Sequence, residues 1–431
     1  MIKRLWLLAC LLGLLIISTP SLAQEEDTLI GPDIYPAGIN PLTGLPVDNP
    51  EVLNQRPLIV KIVNAPAEVR PQHGIMAADI VWEHLLAGGI TRFSAIYYSQ
   101  TPDYVGPVRS MRLVDFELVR VYHALLAASG GSDGTIHILF QDPYAYQHTF
   151  YQGGPCPMMC RSGETDVPYE WTLYANPQAL RQSTEAFRDT TPERVSGMAF
   201  HEATPVGGRY IYYAYVRYRQ TPVYWEWEPV ERVWLRSQDG LEHYDEATGE
   251  RVRAANVLII EDDHIEQPYV AENYWGPSNY AFSVNLVGSG RIILLRDGQM
   301  FEGEWRRPSR EAPLQFYDLQ GNILPFKPGN TFVNLVPRWN RGYSLEFGLV
   351  NPLTATVIVQ SANIRQGPSS NYPSGRAATL GQEFMVIGRN NRGDWLQIRY
   401  DDELTLWIAA SLVNVNGDIM SLPVVVPTVD G

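Results

Sequence analysis

The 431-residue chain has few cysteines, a shortage of positive charge and almost no long apolar runs, and each shortage narrows what it can be. Its 33 lysine and arginine residues are outnumbered by 47 aspartate and glutamate residues. This balance argues against a nucleic-acid partner, because such proteins need a clustered positive field. The sequence has no P-loop, dinucleotide fingerprint or H-E-x-x-H motif, and its eight histidines lack metal-ligand spacing. We therefore expect neither a cofactor nor a metal.

The one long apolar run lies at the N-terminus. Residues 5–17 follow two basic residues and are too few to span a bilayer of about 30 Å. Ser21 and Ala23 then stand at the spacing of a signal-peptidase site. We predict that residues 1–23 are a signal peptide cleaved near Ala23. No later segment predicts a transmembrane helix, so we expect a secreted or cell-envelope-associated protein.

The three cysteines fall into two groups. Leu7-Leu8-Ala9-Cys10 resembles a lipobox with Cys10 as the lipidated residue, but the apolar run continues past it, which favours cleavage near Ala23. Cleavage leaves Cys156 and Cys160, a lone close pair that predicts a local disulfide outside the cell. A zinc site would need two more soft ligands nearby, and none appear.

The apolar patterning changes along the chain. Residues 24–50 are acidic and rich in proline and glycine, so we predict an extended linker. Short β-branched runs predict strands, and three- and four-residue apolar spacing predicts helices, one of which begins at the N-cap Asn176. The strands are predicted at 58–63, 78–83, 93–98 and 135–140, and the helices at 113–126 and 176–187. After about residue 195 the alternation predicts mostly antiparallel β structure.

Four segments follow one another in the first part of the body: Arg70-Pro71-Gln72, Ala78-Asp79-Ile80-Val81, Gly88-Gly89-Ile90-Thr91-Arg92-Phe93 and Gly106-Pro107-Val108-Arg109-Ser110-Met111-Arg112. In this order they resemble the YerB-like family of bacterial envelope lipoproteins, which carry a two-part domain of unknown function. The resemblance implies an α+β fold, with a layered mixed-sheet body in two parts. We place the N-terminal α+β part at 51–195 and the mostly antiparallel C-terminal part at 196–350.

The chain departs from that family pattern at two places. Members usually carry a histidine before the Gly-Gly-Ser turn, where this chain reads Ala128-Ser129-Gly130-Gly131-Ser132. Members often read Pro-His-Asn where this chain has Pro168-Tyr169-Glu170. If those histidines do chemistry in relatives, this chain has lost it.

Three motifs follow one another toward the C-terminal end: Ala362-Asn363-Ile364-Arg365-Gln366-Gly367-Pro368-Ser369, Trp395-Leu396-Gln397-Ile398 and Trp407-Ile408. They resemble a bacterial SH3 domain, which implies a small β-barrel at 355–415. The tail at 416–431 is rich in proline and valine, so we predict that it is disordered. Trp395 and Trp407 either stack on a ligand or fill the barrel core, and core packing is the commoner role. Tyr372, on the loop after Gly367-Pro368, is the better candidate for a ligand groove.

Four arginines and one aspartate are the candidate ligand-binding residues of the body. Guanidinium groups bind carboxylates and phosphates through paired hydrogen bonds, and cell-wall polymers offer both groups. The commoner fate of such arginines is internal pairing, here with Asp79, Glu83 or Asp115. The candidates are Arg70, Arg92, Arg109, Arg112 and Asp79.

Gly130-Gly131-Ser132-Asp133-Gly134 fits the G-x-S-x-G pattern of a serine nucleophile. That chemistry needs a strand, a tight turn and a helix that together lift the serine toward a histidine base. Because residues 135–140 read as a strand, we treat Ser132 only as a weak catalytic candidate. The leading expectation is a non-enzymatic protein that binds peptidoglycan, another cell-wall polymer or an envelope protein. The alternative is an envelope hydrolase.

Overall fold

A computed structural model describes residues 28–153, 156–183, 186–272, 279–338, 343–349, 353–401 and 404–425. The predicted signal peptide, 1–23, and Cys10 lie outside these residues. The described part is rich in β structure, with a mixed sheet in the body and a separate antiparallel sheet at the C-terminal end. Within it, no helix has the length and apolar character that crossing a membrane requires.

A mixed sheet of sixteen strands forms the body. Its strands are β1 Leu58–Val63, β2 Ile80–Leu85, β3 Thr91–Tyr97, β4 Leu125–Ala127, β5 Thr149–Phe150, β8 Arg209–Arg217, β9 Pro222–Glu228, β10 Val233–Gln238, β11 Leu241–Glu242, β12 Arg253–Ala254, β13 Asn256–Asp262, β16 Gly288–Arg296, β17 Gln299–Arg307, β18 Gln315–Asp318, β19 Thr331–Pro337 and β20 Ser344–Leu349. Two hairpins stand apart from it, β6 Met159–Arg161 with β7 Leu173–Ala175, and β14 His264–Ala271 with β15 Tyr280–Val284.

The two predicted parts of the body, 51–195 and 196–350, contribute to this one sheet. The main strand order is β11-β10-β9-β8-β17-β16-β13-β19-β2-β3-β1-β4-β5. Strand β19 comes late in the chain but lies between β2 and β13, parallel to both. The first and second parts are therefore joined through backbone hydrogen bonds at the centre of the sheet.

Side-chain alternation sends the apolar residues of each central strand to two cores. Leu58, Val60 and Ile62 of β1 belong to one core, whereas Ile59 belongs to the other. The core that contains Ile59 is covered by helices, because it also includes apolar residues of the first two helices. The helices of the described residues are α1 Leu113–Val121, α2 Asp133–Gln141, α3 Pro143–Gln147 and α4 Pro177–Gln182.

A second antiparallel sheet at the C-terminal end has a hydrophobic core of its own. Alternate residues such as Leu396 and Ile398 point into this core and are completely buried. We call residues 353–425 the C-terminal module. Its strands are β21 Leu353–Val357, β22 Ser361–Arg365, β23 Ser374–Thr379, β24 Glu383–Arg389, β25 Trp395–Arg399, β26 Thr405–Ala409 and β27 Val413–Val415.

The described residues of the predicted linker and of the predicted tail pack against the folded parts. Within 24–50, Ile30 forms a β-bridge with Phe200, and Leu42 is 1% exposed, so the prediction of an extended linker is wrong for residues 28–50. In the tail, Leu422 is 3% exposed and Val424 bridges to Arg389. Residues 416–425 therefore belong to the module, and 426–431 lie outside the described residues. Both predictions were based on composition, and composition does not reveal that a few apolar residues of a segment are buried against the rest of the protein.

The helix boundaries differ from the predictions. The predicted helix 113–126 ends at Val121, because His123 has the left-handed φ of 48° and the chain then enters β4. The predicted strand 135–140 is instead α2, which Ser132 caps by accepting a hydrogen bond from the Thr135 N–H. Helix α4 begins after the cap Asn176 as predicted but ends at Gln182.

Candidate functional site

Three of the four candidate arginines come together on the helix-covered side of the sheet. The carbonyl oxygen of Ser110 accepts hydrogen bonds from Nη1 of Arg92, at 2.9 Å, and from Nη1 of Arg112, at 3.4 Å. Burial lowers the pKa of Arg92, and the nearby positive charges of Arg112 and Arg109 lower it further. We call Arg92, Arg109 and Arg112 the arginine cluster.

The members of the arginine cluster differ in their partners. Arg112 forms an ion pair with Glu272, 2.9 Å from Nε to the carboxylate. Arg92 is 8% exposed, and its side chain hydrogen-bonds only to the Ser110 carbonyl within the described residues. Burial lowers the pKa of Arg109, and its Nε is buried without a hydrogen-bond partner among the described atoms. Two buried or half-buried cations therefore lack a contacting carboxylate in the part of the chain that the structure describes.

Two helices begin beside the arginine cluster. Helix α1 starts directly after Arg112, and α2 starts after Ser132. The two segments that lead into these helices run side by side. The Ser129 N–H donates to the Arg109 carbonyl, and the Met111 N–H donates to the Gly130 carbonyl. A helix N-terminus presents unpaired N–H groups and a partial positive charge, which adds to the field of the arginines.

A buried polar group underlies the arginine cluster and holds α1 in place. Nζ of Lys61 lies 2.8 Å from both Ser94 Oγ and Asp115 Oδ1, and it also contacts His84. The other Asp115 oxygen accepts the Arg112 N–H at 2.6 Å. Burial lowers the pKa of Lys61 to about 8 and that of His84 well below its ordinary value. Because these residues are at most 1% exposed, they serve to position α1 and Arg112.

The sequence did not point to these supporting residues as functional. Glu272 lies far along the chain from Arg112, and no local spacing links the two. Lys61 carried a signal that could have been used, because it is the one charged residue in the apolar run of β1. Glu83 and His84 lie on opposite faces of β2, because successive side chains of a strand alternate: Glu83 contacts Arg236, whereas His84 contacts Lys61.

Arg70 and Asp79 lie away from the arginine cluster. Arg70 pairs with Asp239 at 2.6 Å and donates to the Asn64 carbonyl. Asp79 accepts hydrogen bonds from Asn40 and from the Tyr98 N–H, and burial raises its pKa. Internal pairing was expected with Asp79, Glu83 or Asp115, but Arg70 and Arg112 find other carboxylates.

Ser132 stands where a nucleophile elbow would require, between a strand and a helix. We treated it as a weak candidate because residues 135–140 were predicted to form a strand, and that prediction is wrong. Its hydroxyl is nevertheless engaged as the cap of α2, 3.0 Å from Thr135 Oγ1, and it contacts no histidine among the described residues. Its φ of −66° is also ordinary, unlike the strained turn of a nucleophile elbow.

The two positions where the chain departs from the YerB-like pattern lie near Arg109. The Ser129 N–H bonds to the Arg109 carbonyl, and the negative charge of Glu170 raises the pKa of Arg109 against the lowering by burial. The histidine of the Pro-His-Asn pattern aligns with Tyr169, which is exposed and packs its ring against Arg161. Ser129 and Glu170 are therefore the residues of these two segments that lie near Arg109.

The three candidate aromatics of the C-terminal module have different environments. Leu396 and Ile398 face the core, so the alternating position of Trp395 points away from it, and Trp395 is only half-buried. Trp407 is 2% exposed, but it alternates with Leu406 and Ile408, which belong to the core cluster, so it is buried on the other face of β26. Core packing of the tryptophans was the commoner expectation, and for Trp395 it is wrong.

Tyr372 lies on the loop between β22 and β23. It is half-buried, its carbonyl accepts a hydrogen bond from Arg365, and its ring covers Gly367 so closely that a Cβ there would lie 2.5 Å from it. The loop is therefore shaped around this ring. The residue as a whole keeps partial exposure to solvent.

One side of the module faces the body across a cavity of about 480 Å³. Gln397 and Arg399 line it from the module, and Arg399 contacts Tyr210 of the body. Tyr212 and Trp227 line the body side. Tyr372 is not among the lining residues, so it is on a part of the module that this cavity does not include.

The predicted disulfide joins Cys156 and Cys160, whose Cα atoms are 4.9 Å apart. It closes a short loop that ends within β6, to which Cys160 belongs. Within the described residues, no group of three or more histidine, cysteine, aspartate and glutamate side chains could hold a metal ion.

Three sequence profiles match the chain. The N-terminal domain of a protein of unknown function (DUF3048) matches residues 42–190, and the C-terminal domain of that protein matches residues 213–333. A bacterial SH3 domain matches residues 360–414. The arginine cluster lies in the first match and Tyr372 lies in the third.

The chain is similar to "Putative lipoprotein YerB" of Bacillus subtilis (strain 168), with 28% identity over 339 residues, 77% of this chain and 95% of that protein. The crystal structure of YerB protein from Bacillus subtilis matches with a TM-score of 0.55 and 26% identity, over 71% of this chain and 99% of that one. The chain therefore belongs to the YerB-like DUF3048 family and ends in a bacterial SH3 domain.

Proposed function

We propose that this is an exported cell-envelope protein that binds peptidoglycan or a wall-associated partner through its C-terminal module. The observation that carries the proposal is the bacterial SH3 match over residues 360–414, in a module with its own hydrophobic core. The name of the Bacillus subtilis relative, a lipoprotein, supports an envelope location.

The Tyr372 loop is the part of the module best suited to a wall ligand. An exposed aromatic face stacks on sugar rings and on peptide backbone, and the hydroxyl adds a polar contact. The side of the module with Gln397 and Arg399 faces the body, which leaves it less accessible to a polymer as large as a cell wall. Tyr372 is held by the fold of its own loop and retains solvent contact.

The mode of attachment has two candidates. Cleavage near Ala23 would release a protein held to the envelope by binding alone, whereas lipidation at Cys10 would anchor it in a membrane. The relative's description as a lipoprotein supports the second candidate, and the position of Cys10 within the apolar run supports the first. Mass spectrometry of the N-terminal peptide from exported material distinguishes a start at Gln24 from a lipid-modified cysteine.

Co-sedimentation of the full chain with purified peptidoglycan sacculi tests the proposal. We expect wild-type protein in the pellet and a several-fold loss of binding for Tyr372→Ala, since a stacked aromatic anchor carries much of such a contact. Tyr244→Ala is the matched control, because Tyr244 is an exposed tyrosine of the body. Wild-type protein that stays in the supernatant while folded would rule out wall binding by this module.

A further inference from the structure

We propose that Arg92, Arg109 and Arg112 form a binding site for an oxyanion, a phosphate or carboxylate group of a ligand, beside the N-termini of α1 and α2. The site lies in the DUF3048 body and does not rest on wall binding by the C-terminal module. It assigns a ligand chemistry to the body.

The first argument is the charge left without a partner. A buried cation is strongly disfavoured unless an anion and hydrogen-bond acceptors surround it. Arg92 is 8% exposed, yet among the described residues no carboxylate lies within the 4 Å contact distance of Arg92 or Arg109. Arginine has five N–H donors, and Arg92 uses its side chain for one hydrogen bond, to a neutral carbonyl.

The second argument is that the nearby carboxylates are already engaged. Asp115 accepts from Lys61, Ser94 and the Arg112 N–H. Glu272 pairs with Arg112 and accepts from the Ala87 N–H. The remaining acidic neighbours sit at the periphery, because both Glu170 and Asp133 are exposed. An incoming oxyanion would therefore supply the missing counter-charge.

The third argument is space beside the turn that leads into α2. Ser129, Gly130 and Gly131 are partly exposed, and a Cβ built on Gly130 would meet no atom within 4 Å. The left-handed φ of 71° at Gly130 also favours glycine. The turn therefore leaves open space and has a backbone conformation that other residues rarely adopt. A group in this opening would lie next to Arg109 and to the start of α2, both of which favour an anion.

The test uses isothermal titration of the full chain at fixed ionic strength, with inorganic phosphate in one arm and acetate in the other. We expect saturable binding of at least one anion. Tighter phosphate binding would identify a phosphate-bearing ligand, and tighter acetate binding would identify a carboxylate. The absence of saturable binding of either anion up to about 10 mM would overturn the proposal.

The variant is Arg109→Gln, chosen because Arg109 is the partly exposed member of the cluster and its loss leaves the Arg112–Glu272 pair intact. Binding should weaken roughly tenfold or more, since a charge-assisted contact is lost. Arg70→Gln is the control, because that arginine pairs with Asp239 and is expected to leave anion binding unchanged. Equal anion binding by wild type and Arg109→Gln, with both folded by circular dichroism, would exclude the cluster.

Sacculus binding separates this proposal from the function assigned to the module. Arg109→Gln should co-sediment as the wild type does, whereas Tyr372→Ala should lose co-sedimentation and keep anion binding. Loss of anion binding in both variants would contradict the separation of the two sites.

Discussion

Glu83 and Arg236 form an ion pair of 2.8 Å in which both side chains are completely inaccessible to solvent. Asn64 and Thr91 donate to one carboxylate oxygen of Glu83, and Asn334 donates to the other. The pair joins β2 of the first part to β10 of the second, across the sheet face that lacks α1 and α2. It therefore contributes to holding the two parts in one arrangement.

Substitution of Glu83 should destabilise the protein strongly. Glu83→Gln leaves Arg236 buried without a counter-charge, and removing one partner of a buried pair costs about 3–5 kcal/mol of unfolding free energy. Urea denaturation measures the change. Arg209→Gln removes an exposed pair with Glu302 and should cost no more than about 1 kcal/mol. Similar losses in the two variants would contradict the importance of burial.

The stability of the protein should fall in mildly acidic solution because of buried histidine. Burial lowers the pKa of His264 from 6.5 to about 4. The folded state keeps this ring neutral while the unfolded chain takes up a proton below pH 6.5, so protonation favours unfolding as the pH drops from 6.5 toward 4. For this residue alone the loss between pH 6.5 and 5 is about 2 kcal/mol.

The contribution of His264 is measured by comparison with His264→Gln. Burial raises the pKa of the neighbouring Asp262 to about 6, which acts in the opposite sense, so the wild-type profile alone does not isolate the histidine. On going from pH 7 to pH 5, His264→Gln should lose less unfolding free energy than the wild type, or gain some, because only the Asp262 contribution remains. An unchanged difference would show that the ring is not kept neutral by the fold.

Ser132 is expected to act as a helix cap. Ser132→Ala removes the acceptor for the Thr135 N–H, which should lower the unfolding free energy by about 1 kcal/mol. A fluorophosphonate probe should leave the serine unmodified, because its hydroxyl contacts no histidine among the described residues. Covalent labelling at Ser132 would instead support the alternative of an envelope hydrolase.

In the C-terminal module, Leu396 should matter more for stability than the larger Trp395. Leu396→Ala empties a site in the core and should cost about 2–5 kcal/mol, a range typical of buried leucine. Trp395→Ala removes a half-buried ring that points away from that core, so the loss should be smaller. Thermal unfolding monitored by circular dichroism compares the two. The reverse order would mean that Trp395 packs against a surface more important than its exposure indicates.

The central strands were predictable, whereas the helix after Ser132 was not. The run at Leu58–Val63 is β-branched and short, and it forms β1. Residues 135–140 are likewise mostly β-branched or apolar but form α2, because Ser132 caps the segment and Leu139 packs into the helix-covered core. Local propensity was overridden there by capping and tertiary packing.

The candidate site was predictable in its arginines but not in their partners. Sequence motifs singled out Arg92, Arg109 and Arg112, and the structure brings them together. The pairing of Arg112 with Glu272 depends on how the β14–β15 hairpin lies against the sheet. Contacts between distant segments leave no trace in local spacing, so the balance of charge at the site could be assessed only from the fold.

The central position of β19 has a consequence for how this protein matures. A polypeptide is synthesised and exported N-terminus first, so β2 emerges long before its neighbour at residues 331–337. During that interval β2 has one unpaired edge, and such edges are prone to join other chains. We expect chaperone dependence during synthesis and during the proposed export, and aggregation of any product that terminates before β19.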